Sequence, residues 1–224
     1  MIPIRDINPT HRVPWVTYGL ILLNILVFVF QWLLGSAQTE FVYNFALIPS
    51  QITDGIGPGD MLDFFSSMFM HAGLAHIGGN MLYLWIFGDN IEDAMGHTRY
   101  LLFYLLGGIG AAVVHIMTNP NSVIPTVGAS GAIAAVLGAY LVLYPRSRVM
   151  TLIFLGYWIR MTVVPSVVVL GLWFVLQLFS GVASLGGPDV GGTAFWAHIG
   201  GFVIGVVLAK LFSDDPHYNE LERW

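Results

Sequence analysis

Apolar residues in this chain come in runs long enough to cross a bilayer, and that removes most folds from consideration. A helix needs about 20 apolar residues to span ~30 Å of hydrocarbon. Six runs reach or approach that length: 14–34, 75–95, 100–117, 130–144, 161–180 and 192–211. Inside hydrocarbon each backbone N–H and C=O must be satisfied within the segment, so such runs fold as helices. Hydrophobic residues make up 56% of the sequence and charged ones 9%, against about 25% charged in a soluble domain. The expected architecture is all-α: a polytopic bundle of six transmembrane helices, one domain over residues 1–224. The run at 14–34 exceeds the ~7–15 apolar residues of a signal-peptide core, so it is expected to stay as the first span. Residues 149–158 are apolar but too few to cross, and are expected to lie along the membrane interface.

Charge placement orients the bundle. Lys and Arg accumulate on the cytoplasmic side. Arg5 and Arg12 precede the first run, and Arg99 lies between the second and third. Arg146, Arg148 and Arg160 lie between the fourth and fifth, and Lys210 and Arg223 close the chain. All 8 basic residues fall on one side, which places both termini in the cytoplasm. Cysteine is absent, so disulfides and thiolate metal sites are excluded.

The fourth run is short. Its residues 130–144 rise only ~22 Å at about 1.5 Å each, so with its inner end near Arg146 its outer end lies roughly 8–10 Å below the outer surface. The preceding connection, 118–129, must dip to meet it. Irregular backbone at that depth requires protein or a water-filled cavity beside it. Ser130 begins this run, in "VGASGAIAAVLGAY". The second, fourth and sixth runs descend in the same direction. His198 in the sixth, and His76 and Asn80 in the second, therefore reach a similar depth. His76 and Asn80, spaced i and i+4, share a helix face.

A lone transmembrane serine usually bonds back to its own backbone, and an intramembrane Asn often only joins helices. Together, a Ser, two His and an Asn at one depth on three helices point to a site. Gly131, Ala134, Ala135 and Gly138 line one side of the fourth helix, and Ala197, Gly201 and Gly205 one side of the sixth. Small residues at this spacing let backbones approach, which would bring Ser130 to His198. A serine hydroxyl needs an adjacent base to act as a nucleophile, and His198 could supply one. Donors for a developing oxyanion could come from the His76 ring, the Asn80 amide and the Ser130 backbone N–H, which opens a helix and is unpaired there. No Asp or Glu lies in the sixth run, so the expected unit is a Ser–His dyad.

Other chemistries fit less well. Gly57-Pro58-Gly59-Asp60 has a G-x-G-D pattern but lies in a polar connection with no second intramembrane Asp. There is no H-E-x-x-H zinc motif. His71, His76, His115 and His198 have no acidic companion for a metal, and position 132 is Ala, which breaks the G-x-S-x-G elbow of soluble hydrolases. No metal or cofactor is expected.

Three stretches, "FFSSMFMHAGLAHIGGNMLYLWIFGDNIEDAMG" (64–96), "GASGAIAAVLGAYLVLYP" (128–145) and "AHIGGFVIG" (197–205), together resemble the rhomboid family of intramembrane serine proteases in its bacterial six-helix form. The resemblance implies Ser130 as nucleophile, His198 as base, His76 and Asn80 at the oxyanion site, and Gly201 and Gly205 as the glycines that let the fourth and sixth helices touch. It implies a structural role for Glu92. It further implies transmembrane protein substrates cut near the outer membrane boundary, no cofactor, no nucleic acid, and a multi-pass location in a bacterial inner membrane. The fifth helix and the connection 181–191 resemble a mobile gate and cap. Two positions depart from the family pattern: Leu62-Asp63 stands where many members have Trp-Arg, and Ala134 where an aromatic residue commonly stacks on the histidine. The alternatives are a non-catalytic rhomboid-like binding protein, whose relatives usually lack the Ser or the His, and a small transporter, which would want polar side chains along a through-path. The acidic end, 213–224, would be an interaction segment or a solvated tail.

Overall fold

The computed structural model describes residues 1–57, 59–156, 158–185 and 192–213. Pro58 of the G-x-G-D stretch, most of the expected cap at 186–191 and the tail at 214–224 lie outside those residues. The order of elements is β1 (Ile2–Asp6), α1 (Trp15–Leu33), α2 (Gln38–Phe45), α3 (Pro49–Asp54), α4 (Asp60–Ser66), α5 (Leu74–Met95), α6 (His97–Thr118), α7 (Ser130–Leu143), β2 (Arg148–Leu155), β3 (Trp158–Pro165), α8 (Ser166–Ser184) and α9 (Phe195–Phe212).

The chain is a polytopic helical membrane protein. α1, α6, α8 and α9 are each long and apolar enough to cross a membrane. α5 is longer than most, at 22 residues, but carries Asp89, Glu92 and Asp93 in its last two turns. α7 has only 14 residues and is the centre of the bundle, with every residue from Gly131 to Tyr140 buried. A helix that is apolar all round is one enclosed by its neighbours. Here α5, α6 and α9 pack around it, and α9 packs closest. α1 and α8 sit at the periphery with most of their apolar surface outward. Even so, α1 turns its amides inward: Asn24 and Gln31 are buried, and the Asn24 side chain donates to the Leu20 carbonyl at 2.7 Å.

At the arginine-bearing end the structure corrects one expectation and adds to another. The fifth helix begins at Ser166, not Met161, and the apolar stretch that starts at Val149, expected along the interface, takes the form of strands in a three-stranded sheet ordered β1-β2-β3. β2 pairs antiparallel with both neighbours, Ile2 opposite Leu152 and Met161 opposite Leu152 from the other side. The reason is local. Pro165 lacks an N–H and cannot sit inside a helix, so it ends β3 and α8 starts just after it. The preceding Thr162-Val163-Val164 is β-branched and prefers a pleated strand. Gly156, at φ +62°, makes the hairpin turn. Val149 and Thr151 face inward and are fully buried, while Asp6 of β1 accepts a hydrogen bond from the Tyr140 hydroxyl at 2.8 Å.

Glu92, fully buried, closes the same end. Its carboxylate accepts the backbone N–H of Val16 at 2.8 Å and that of Thr17 at 2.7 Å. It also accepts the Thr17 hydroxyl at 2.7 Å, and His97 Nδ1 lies 2.6 Å from its other oxygen. An anion at a helix N-terminus satisfies orphan donors and complements the dipole, so Glu92 of α5 caps α1.

Candidate active site

The site is built where α7 and α9 touch. The missing side chains of three glycines set their separation. A Cβ on Gly201 would run into the Gly131 carbonyl, one on Gly205 into the Ala135 carbonyl, and one on Gly138 into the Phe202 carbonyl. These obstacles are backbone and cannot swing aside. Gly131 also faces α6, where an added Cβ would lie 2.7 Å from the Ala111 Cβ. With the two backbones in contact, the first residue of α7 meets the first turn of α9. Ser130 Oγ lies 2.8 Å from His198 Nε2, and the imidazole is 9% exposed.

The other ring nitrogen, His198 Nδ1, lies 2.8 Å from Gln177 Oε1 on α8. One helical turn earlier on α8, the Trp173 ring lies against the imidazole, with centroids 5.8 Å apart and planes inclined by 32°. Ala134 is fully buried among the α7 neighbours, so the imidazole is flanked from α8 and not from α7.

His76, near the start of α5, faces Ser130 across Gly128. Its Nδ1 accepts the Ala72 N–H at 3.4 Å, which leaves the ring proton on Nε2. A Cβ on Gly128 would sit 2.8 Å from His76 Nε2 and 3.6 Å from Ser130 Oγ. Gly128 has φ +132°, a conformation L side chains rarely adopt. Glycine thus keeps open a small space bounded by the serine hydroxyl and the His76 N–H. Its own N–H donates to the Ser67 carbonyl at 2.8 Å. Asn80 is buried on the same helix, and its Nδ2 lies 2.8 Å from His71 Nε2. The His71 backbone N–H donates in turn to Gln31 Oε1 of α1 at 3.0 Å.

Ser130, His198, His76 and Asn80 line one cavity of about 1510 Å³, which extends to Asn119–Ser122, Ile124 and Pro125 of the loop before α7 and to Gly192–Ala194. The loop before α7 is held by paired backbone bonds between Leu47 and Thr126, at 3.2 and 2.8 Å. His115, on α6, lines the cavity as well, with Nε2 3.1 Å from the Thr126 hydroxyl. Leu62 and Asp63 lie on α4 and are not among the residues that line the cavity. Asp60, at the head of that helix, accepts the Gly57 N–H. Burial and the neighbouring Asp60 raise the Asp63 carboxyl above its ordinary 3.8.

Sequence reasoning thus anticipated four of the side chains around the cavity and missed Gln177 and Trp173. One signal existed for the first: Gln177 is the only amide in the apolar run 161–180. Nothing in the sequence ties Trp173 to His198.

A family model described as Rhomboid domain matches residues 58–215. Rhomboid protease GluP of Bacillus subtilis (strain 168) is 32% identical over 175 residues, which cover 78% of this chain and 33% of that protein. RHOMBOID-like protein 1 of Arabidopsis thaliana is 26% identical over 234 residues, 92% of this chain and 55% of that one. Rhomboid protein 1, mitochondrial, of Saccharomyces cerevisiae (strain ATCC 204508 / S288c) is 26% identical over 200 residues, 85% and 51%. The chain spans from a third to just over half of the length of these relatives.

Proposed function

The chain belongs to the rhomboid family, and from that membership and its cavity we propose that it is an intramembrane serine endopeptidase working through Ser130 and His198. The observation that carries the proposal is the 2.8 Å contact between Ser130 Oγ and His198 Nε2, at one wall of a cavity that water can enter.

In the proposed reaction Ser130 Oγ attacks the scissile carbonyl of a transmembrane substrate while its proton passes to His198 Nε2. The carbonyl oxygen becomes an oxyanion in the space that Gly128 leaves open. The His76 Nε2–H, the Ser130 backbone N–H and the second amide proton of Asn80 are the donors for it. The protonated imidazole gives its proton to the leaving amine, and water admitted through the cavity then hydrolyses the acyl-enzyme with His198 again as base. In the proposed orientation the basic residues lie on the cytoplasmic side and the cavity mouth faces the other way, with cleavage near the outer membrane boundary. No step calls for a metal or an organic cofactor.

Treatment with a fluorophosphonate probe tests this. The unaltered protein should be labelled, with Ser130→Ala and His198→Ala each abolishing the signal. Labelling that survives in Ser130→Ala removes the assignment. A protein that takes up no probe in any form would point to the binding-protein alternative.

A further inference from the structure

His198 is gripped from α8, the peripheral helix. We propose that Gln177 is a positioning residue for the Ser130–His198 pair, fixing the imidazole tautomer while Trp173 holds the ring face; this rests on the protease reading above.

A neutral imidazole has one N–H and one lone pair. With Nδ1–H donating to Gln177 Oε1 at 2.8 Å, the lone pair is on Nε2, facing the Ser130 hydroxyl at 2.8 Å. That is the arrangement in which the ring can take the serine proton. The opposite tautomer would place a proton on Nε2 and have it donate to Ser130, and such a ring cannot act as the base. A carboxylate in this place would fix the tautomer too, but a charge inside the membrane is costly. A carboxamide accepts the hydrogen bond without one. Gln177 and Trp173 are spaced i and i+4 and so share one face of α8. The same turn of helix that supplies the acceptor supplies the flanking ring, and together they do what no side chain on α7 does, since position 134 is Ala.

A purely structural role, joining α8 to α9, predicts something different. It would lower stability when removed and leave both the tautomer and the turnover of folded protein unchanged.

The experiment pairs kinetics with nitrogen-15 NMR of histidine-labelled protein, in which the His198 resonances are identified by their loss in His198→Ala. In the unaltered protein the His198 signals should show the proton on Nδ1. Gln177→Met, which cannot accept, should mix the tautomers. It should also reduce kcat on the order of 10-fold to 10³-fold, with KM changed by less than about two-fold. Gln177→Glu, which offers an acceptor oxygen in either protonation state, should recover much of kcat. A kcat in Gln177→Met within about two-fold of the unaltered protein overturns the proposal, and so does a proton on Nε2 in the unaltered protein. The tautomer is read without any turnover. Absence of probe labelling at Ser130 would therefore sink the protease reading alone, while the NMR still decides the role of Gln177.

Discussion

Asn80 carries two amide protons, and one of them faces His71 Nε2 at 2.8 Å. In the proposed mechanism the second is offered to the oxyanion. Asn80→Ala should therefore do two separable things. Loss of one oxyanion donor should slow cleavage on the order of 10-fold to 10³-fold. Stranding the buried His71 ring nitrogen should cost about 1–3 kcal/mol of stability. Rate measurements on the folded fraction and thermal unfolding of the same sample read the two effects independently. An unaltered rate with lowered stability would leave Asn80 only as a link to His71. At this scale the sequence was informative about Ser130, His198, His76 and Asn80, because the hydropathy runs put these polar groups at one inferred depth, and the structure gathers all four around one cavity. It was silent on the bond from Asn80 to His71, and on what the lone amide Gln177 would meet, because nothing in a sequence says which way an amide on a peripheral helix turns.

Between elements, the governing feature is the contact of α7 with α9. A Cβ on Gly205 meets a carbonyl on the facing helix, whereas one on Gly171 of α8 meets nothing within 4 Å. Gly205→Ala should lower stability by about 1–3 kcal/mol, as overpacking does. It should also slow probe labelling at Ser130, since the two helices must part where the hydroxyl meets the imidazole. Gly171→Ala should leave both unchanged. Thermal midpoints and labelling rates of the two variants make the comparison, and equal behaviour would remove the packing argument. The small-residue spacing made this contact legible before any coordinates, as hydropathy made the helices legible. The hairpin of β2 and β3 was hidden by the same measure. Its strands are as apolar as the start of a span, and only Pro165 and the β-branched run before it marked them as something else.

For the whole molecule, the sheet ties the N-terminal strand to the core through Asp6 and Tyr140, a pairing of segments too distant in the chain to leave a local signature. Burial pushes the Asp6 carboxyl from its ordinary 3.8 up to about 6. The folded state therefore holds a proton that the unfolded chain has already released between about pH 4 and 6. Since the native state binds more protons there, stability should fall as pH rises across that window and level off above it. Asp6→Asn, which keeps an acceptor for the Tyr140 hydroxyl, should flatten this contribution. Thermal midpoints from pH 4 to 8 check the sign, and a midpoint in the unaltered protein that rises between pH 4 and 6 would contradict it.

Glu92 has a consequence for how such a chain is made. The backbone groups it receives at the head of α1 belong to residues synthesised about 75 positions earlier. When α1 first enters the bilayer, only water at its edge can serve those two N–H groups. The carboxylate that replaces this water arrives with the last turn of α5. The start of the first span is thus settled only when the end of the second is delivered, a pairing that α7 and α9, which carry Ser130 and His198, follow in the chain.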